Sequence, residues 1–158
     1  MSRTGKITKR VPKVDPIRHN RFIGRFISHI MRDGKRSIAE SLVYRALGHI
    51  EEKGQDPIKV FETALNVVGP RMEVKPRRVG GASYQVPVEV RGDRRISLAI
   101  RWITEAARKR SNREYHTFDL KLSAELLDAV AEQGEAIRKR DMMHKTAESN
   151  KAFSHFRW

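Results

Sequence analysis

Residues 69–92 read GPRMEVKPRRVGGASYQVPVEVRG, and this stretch decides the fold. Before it, apolar residues recur every three or four positions; inside it they recur every second. Met72 and Val74 alternate with Glu73 and Lys75, and Tyr84, Val86, Val88 and Val90 alternate with Gln85, Pro87 and Glu89. Period two on both sides of a Pro/Gly/Arg-rich segment, Pro76 to Gly81, predicts a hairpin spanning about 72–90. Pro87 cannot donate to a ladder, so an open edge is expected there. A lone two-stranded ribbon is marginal in water, so this one needs the helices or a partner behind it. It is expected as an arm reaching away from the body.

On the N-terminal side the period is helical. Ile23, Phe26, Ile27, Ile30 and Met31 form one face of a first helix, which Gly34 is expected to close. Ser37 and Glu40 have capping-box spacing for a second helix carrying Ile38, Leu42, Ala46 and Ile50, ended by Gly54. Asp56-Pro57 offers an N-cap and a first-turn proline for a third helix with Val60, Phe61, Ala64, Leu65 and Val68, stopped at Gly69-Pro70. Past Gly92 the helical spacing returns. Leu98, Trp102 and Ala106 share one face of a fourth helix; Leu122, Leu126, Leu127 and Val130 mark a fifth, ended by Gly134; a sixth runs from about Ala136 into the 140s. Trp102 and Met142-Met143 read as core. Residues 1–14 are basic, aperiodic and poor in large apolar groups, which predicts a flexible tail. No internal repeat is evident. Short loops set successive helices side by side, so the expected fold is mainly α. It is a six-helix bundle-like domain over 15–158, with a protruding two-stranded β-ribbon between the third and fourth helices.

The 158 residues include 33 Lys/Arg against 19 Asp/Glu, a formal net charge of +14. Cysteine is absent, which excludes disulfides, zinc-thiolate sites and cysteine nucleophiles. No apolar run approaches the roughly 18 residues of a membrane span, and residues 1–21 lack the apolar centre of a signal peptide. No membrane partner is expected, and the protein is expected to act where it is made. The positive excess is confined to two blocks. Residues 1–36 hold eleven Lys/Arg against two Asp/Glu, and residues 71–113 hold twelve against four. The rest of the chain is slightly acidic. A merely solvated surface would intersperse the signs, whereas two dense blocks are the footprint of a polyanion site.

Enzymatic motifs are missing. Gly34-Lys35-Arg36-Ser37 matches the end of a phosphate-binding loop, but the required earlier glycine is His29 and the preceding segment reads as helix. Neither G-x-S-x-G nor H-E-x-x-H occurs. The six histidines show no ligand spacing, and the four acids of the second block, Glu73, Glu89, Asp93 and Glu105, are spread over ribbon and helix. No cofactor, metal, small-molecule substrate or catalytic residue is expected.

Four basic elements remain as candidate contacts. They are the tail (Arg3, Lys6, Lys9, Arg10, Lys13), the turn at Lys35-Arg36, the arm (Lys75, Arg77, Arg78) and the segment from Arg91 to Arg113. The last includes Arg94, Arg95, Arg101 and a connector with Arg108, Lys109, Arg110 and Arg113. Arginine's planar fork grips phosphate bidentately and stacks on bases. Gly80-Gly81 permits the turn and also lets backbone amides approach a sugar–phosphate chain. Tyr84 reads equally as a base-stacking or a packing residue. A disordered tail, a ribbon and scattered helix ends suit folded RNA better than a uniform DNA groove. About eight phosphate contacts would lower affinity by roughly 10³–10⁵ between 50 and 200 mM salt.

Several strings carry a more specific signal. DPI at 15–17, IMRDGKRS at 30–37, RRVGGASYQVPVEV at 77–90, LAIRWITEAARKR at 98–110 and AIRKRDMMHKTAESNKAFSHFRW at 136–158 occur in this order. Together they resemble the bacterial and organellar form of the small-subunit ribosomal protein seven family. A chain stopping at Trp158 is similar to its shorter bacterial and plastid members. The resemblance implies a structural, non-enzymatic role in translation, in the ribosome of a bacterial cytoplasm, plastid stroma or mitochondrial matrix. It implies primary binding to the 3′ major domain of small-subunit (16S-type) rRNA, early in assembly of the head. It also implies a place by exit-site tRNA and the mRNA path, beside small-subunit proteins numbered nine and eleven. By matching motifs it implies RNA contacts at Lys35, Arg36, Lys75, Arg77, Arg78, Arg94, Arg95, Arg101 and the connector Arg108–Arg110.

Overall fold

A computed structural model describes Gly5 and residues 13–156. Six α-helices and one hairpin follow in chain order: α1 (Arg21–Ile30), α2 (Arg36–Glu52), α3 (Pro57–Val68), β1 (Met72–Val79), β2 (Ala82–Glu89), α4 (Gly92–Lys109), α5 (Phe118–Val130) and α6 (Glu135–Ser149). A 3-10 helix, Lys151–Phe156, closes the described chain. The mainly helical body and the ribbon between α3 and α4 are therefore as the periodicity predicts. None of these helices is long and apolar enough to cross a membrane.

Local chemistry explains most boundaries. Asp56 caps α3 by accepting from the amides of Ile58 and Lys59, with Pro57 in the first turn. Asn20 does the same for α1, accepting from Phe22 at 2.8 Å and Ile23 at 3.4 Å. Three expected signals are not used. The α1 helix already ends at Ile30, and Asp33 and Gly34 both take positive φ in the turn beyond it. No Ser37–Glu40 box forms, because Lys35 is the N-cap of α2 and Glu40 is taken by Arg36 Nε at 2.7 Å. Likewise α5 stops at Val130, and Gly134, with φ +94°, instead opens α6.

The apolar faces meet in one core, with α5 against α2, α3 and α4. Phe26 and Phe61 pack with ring centroids 5.2 Å apart, and Ile23, Ile27, Ile50, Ile103 and Leu122 are fully excluded from solvent. Trp102 is buried there as expected, but Met142 points outward and only Met143 packs on the core. The chain reaches this body through Asp15, which is 0% exposed and accepts from Tyr44 Oη and the Arg18 amide. Lys13 then crosses α1 at Gly24, where a Cβ would lie 2.5 Å from the Lys13 carbonyl oxygen. Only glycine allows that crossing.

The hairpin pairs Met72 with Glu89 through to Val79 with Ala82, so the turn is only Gly80-Gly81 and the strand runs through Pro76. Both glycines have positive φ, which suits a tight two-residue hairpin turn. The ribbon does not project unsupported. The α6 helix lies against β1 and the 3-10 helix against β2. Tyr84 sits between Phe153 and Phe156, with centroids at 5.2 and 5.3 Å, so its ring serves packing. Val86 is fully buried, and Pro87 is buried as well, not left at an open edge.

Candidate nucleic-acid interface

Cations from both basic blocks lie along one run, marked by ion pairs at the arm, by helical spacing along α4 and by electrostatic coupling to α1. At the base of the arm, Glu73 is nearly inaccessible and pairs with both Lys75 (3.3 Å) and Arg94 (2.6 Å). Arg94 opens α4, and Arg101 and Arg108 follow on the same exposed face at intervals of seven residues. The α1 helix runs beside this face. Arg25 donates to the Asp93 carbonyl and the Ser97 hydroxyl; farther along, His29 feels the charges of Arg101 and Arg108, and Arg108 feels that of Arg32. Lys35 joins Arg32 along one shared recess. Arm base, α4, the end of α1 and the turn before α2 therefore make one cationic seam.

The seam is short of counterions. Burial first, then Arg101 and Arg108, push the His29 imidazole below its usual range. Burial and the Arg32 charge depress the Arg108 guanidinium in the same way. Among the described residues, Arg32, Arg101 and Arg108 pair with no carboxylate, and Glu105 is held by Lys139. Like charges kept together without partners destabilise the free protein slightly and favour any polyanion laid along them. Arg77 and Arg78 add an exposed pair, without a carboxylate partner among the described residues, farther out on the arm next to the small tip of Gly80 and Gly81.

Not every predicted cation faces outward. Arg110 is turned into the body, its side chain 17% exposed, bound to Glu125 at 2.6 Å and to Asp128. Lys121 donates to the Arg110 carbonyl at 2.6 Å and to Asn112, pinning the connector to α5 and leaving Arg108, Lys109 and Arg113 on the surface. Arg95 is also committed: Nε donates to the Gly69 carbonyl at 3.0 Å and Nη2 to that of Asn66 at 2.7 Å. Arg140 donates to Val67 O at 3.0 Å, so two guanidiniums cap the negative end of α3. Arg94 and Arg36 each spend part of their donor capacity on an acid, Glu73 and Glu40. Arg3, Lys6, Lys9 and Arg10 lie outside the described residues, whereas Lys13 is exposed at their edge.

Arg25, His29 and Arg32 were not among the expected contacts. Their signal was present, since positions i, i+4 and i+7 lie opposite the stripe Ile23–Phe26–Ile27–Ile30. What the sequence lacked was the parallel alignment of α1 with α4. Among the described residues, no group of three or more His, Asp or Glu side chains is placed to hold a metal.

A rigid helical body with an unneutralised seam and a cationic ribbon defines a protein built to hold nucleic acid by its phosphates. Residues 2–151 match the ribosomal protein S7p/S5e family. Proteins named small ribosomal subunit protein uS7 are similar over their whole length, covering 100% of both chains. That of Nitrosomonas eutropha is 52% identical, that of Desulfitobacterium hafniense strain Y51 is 53% identical and that of Caldicellulosiruptor bescii is 48% identical. The chain belongs to the S7p/S5e family of ribosomal proteins, which are structural components of the translating ribonucleoprotein.

Proposed function

We propose that the protein folds and locks a junction in the 3′ major domain of small-subunit rRNA, nucleating assembly of the subunit's head. It acts without catalysis. RNA helices repel one another until the seam neutralises the phosphates between them, and the rigid bundle then fixes their angle. The observation that carries this reading is the continuous run from Lys75 through Arg94, Arg101 and Arg108 to Arg32 and Lys35. Residues 15–158 act as one unit and the tail, 1–14, adds contacts on binding. The contacting set is Lys35, Arg36, Lys75, Arg77, Arg78, Arg94, Arg101, Arg108, Lys109 and Arg113, extended by Arg25 and Arg32. Arg95 and Arg110 serve the fold.

The family places such a protein in the small subunit, and the relatives cited are bacterial, which supports a ribosome in a bacterial-type compartment. Exit-site tRNA, mRNA and the small-subunit proteins numbered nine and eleven are the proposed neighbours, with the arm as the element reaching them. Hydroxyl-radical footprinting of a 3′-domain fragment with the pure protein tests the central claim. Protection at a helical junction at moderate salt is expected; its absence, or equal affinity for duplex DNA in competition, overturns it.

A further inference from the structure

The turn between α1 and α2 holds an unusual recess. Two adjoining hollows of about 230 and 170 Å³ share Ile30, Arg32 and Leu42 as walls. Ile38, at the third position of α2, lies over one and is 55% exposed, one of few large apolar side chains left open to water. Phe118, at the start of α5, lines the other. Arg32, Lys35 and Arg108 stand around this apolar floor, none paired with a carboxylate among the described residues.

The combination is selective. A phosphate alone would use the cations and waste the apolar floor. An apolar peptide would use the floor and bury three unpaired charges at a heavy desolvation cost. A nucleotide satisfies both, because its base presents a flat apolar face and its flanking phosphates lie on either side. Each hollow is of the size of a single base.

We propose that the recess takes one unstacked base of the bound RNA, with Ile30, Ile38, Leu42 and Phe118 against the base and Arg32, Lys35 and Arg108 on the adjoining phosphates. This rests on the rRNA-binding reading and deepens it: the protein marks one extruded nucleotide as well as neutralising a backbone. The N-terminal turn of α2, which has no side-chain cap, borders the same recess, and its dipole adds attraction for a phosphate.

Base-edge chemical probing of a 3′-domain rRNA fragment tests it with wild type, Ile38→Trp and Ile38→Asp. Tryptophan fills the recess; aspartate puts a carboxylate in it while suiting the first turn of a helix, so its fold is maintained. With wild type, one unpaired base becomes protected. In both variants that protection disappears while the junction footprint remains, and affinity falls about tenfold, the loss of roughly one stacked base. Unchanged protection in either folded variant, checked by thermal melting, overturns the proposal. So does an affinity loss with no single base exposed, or loss of a neighbouring protein from assembled particles with naked-RNA binding intact. If wild type leaves no footprint anywhere, the rRNA-binding reading itself fails.

Discussion

The phenol of Tyr44 donates to Oδ1 of Asp15 at 2.5 Å, and Asp15 is wholly buried at the point where the basic tail joins the helical body. Burial first, and the hydrogen bond to Asp15 second, push the Tyr44 hydroxyl up to about 12. Tyr44 should therefore ionise well above the usual tyrosine range in a spectrophotometric alkaline titration. A raised folded pKa means that its stabilisation holds below about pH 10 and is lost as pH climbs through 12. Tyr44→Phe should cost about 1–3 kcal/mol, because a buried carboxylate oxygen loses its donor. A late-titrating phenol that persists in Tyr44→Phe would sink this assignment.

Arg110 and Arg101 look interchangeable in sequence and should behave oppositely. Arg110→Ala leaves Glu125, 1% exposed, without its guanidinium; chemical denaturation should show a loss of about 3–5 kcal/mol. Arg101→Ala should leave the melting temperature within a degree or two and weaken RNA binding instead. Equal stability of the two variants would contradict the geometry.

Arg77 and Arg78 are exposed on the outer half of the ribbon. Replacing both by alanine should lower rRNA affinity and flatten the salt dependence by up to about two. Far-UV dichroism should not change. A melting shift as large as the binding loss would make the pair structural.

The ribbon should depend on the chain's C-terminal segment. Removing the rings at Phe153 and Phe156 by alanine substitution takes away the two aromatic neighbours that Tyr84 has among the described residues. Hydrogen exchange across 75–86 should then accelerate at least tenfold, while amides of α5 stay protected. Unaltered exchange in the ribbon would show that α6 alone supports it.

His49 links α2 to α5, lying 3.2 Å from Glu52 and 3.2 Å from Asp119. Its bonds to Glu52 and then Asp119 raise the imidazole above the usual 6.5. The stabilisation is complete below about pH 6.5 and disappears as pH rises through the higher folded value. His49→Gln should thus destabilise more at pH 5.5 than at pH 8.5. A larger effect at the alkaline pH would reverse the sign and refute the pairing.

How much of this was readable in advance follows from the range of each interaction. The Asp56-Pro57 cap and the turn at Gly80-Gly81 rest on neighbours within four residues, and both appear as the sequence predicts. The Ser37–Glu40 box has equally good local spacing, yet Arg36 captures Glu40 and Lys35 takes the cap. Local competition of that kind is settled by small energy differences that spacing does not reveal.

The sequence by itself determined the helical body, the place of the ribbon and the class of partner, because periodicity and net charge are properties of the chain. Only the tertiary structure decided which cations face outward. Arg95 and Arg110 carry the same side chain as Arg94 and Arg108, but the carbonyls ending α3 and the buried Glu125 come from distant segments and draw them inward. Where an arginine points depends on which acceptor folding brings within 3 Å, and no count of charges along the chain contains that distance.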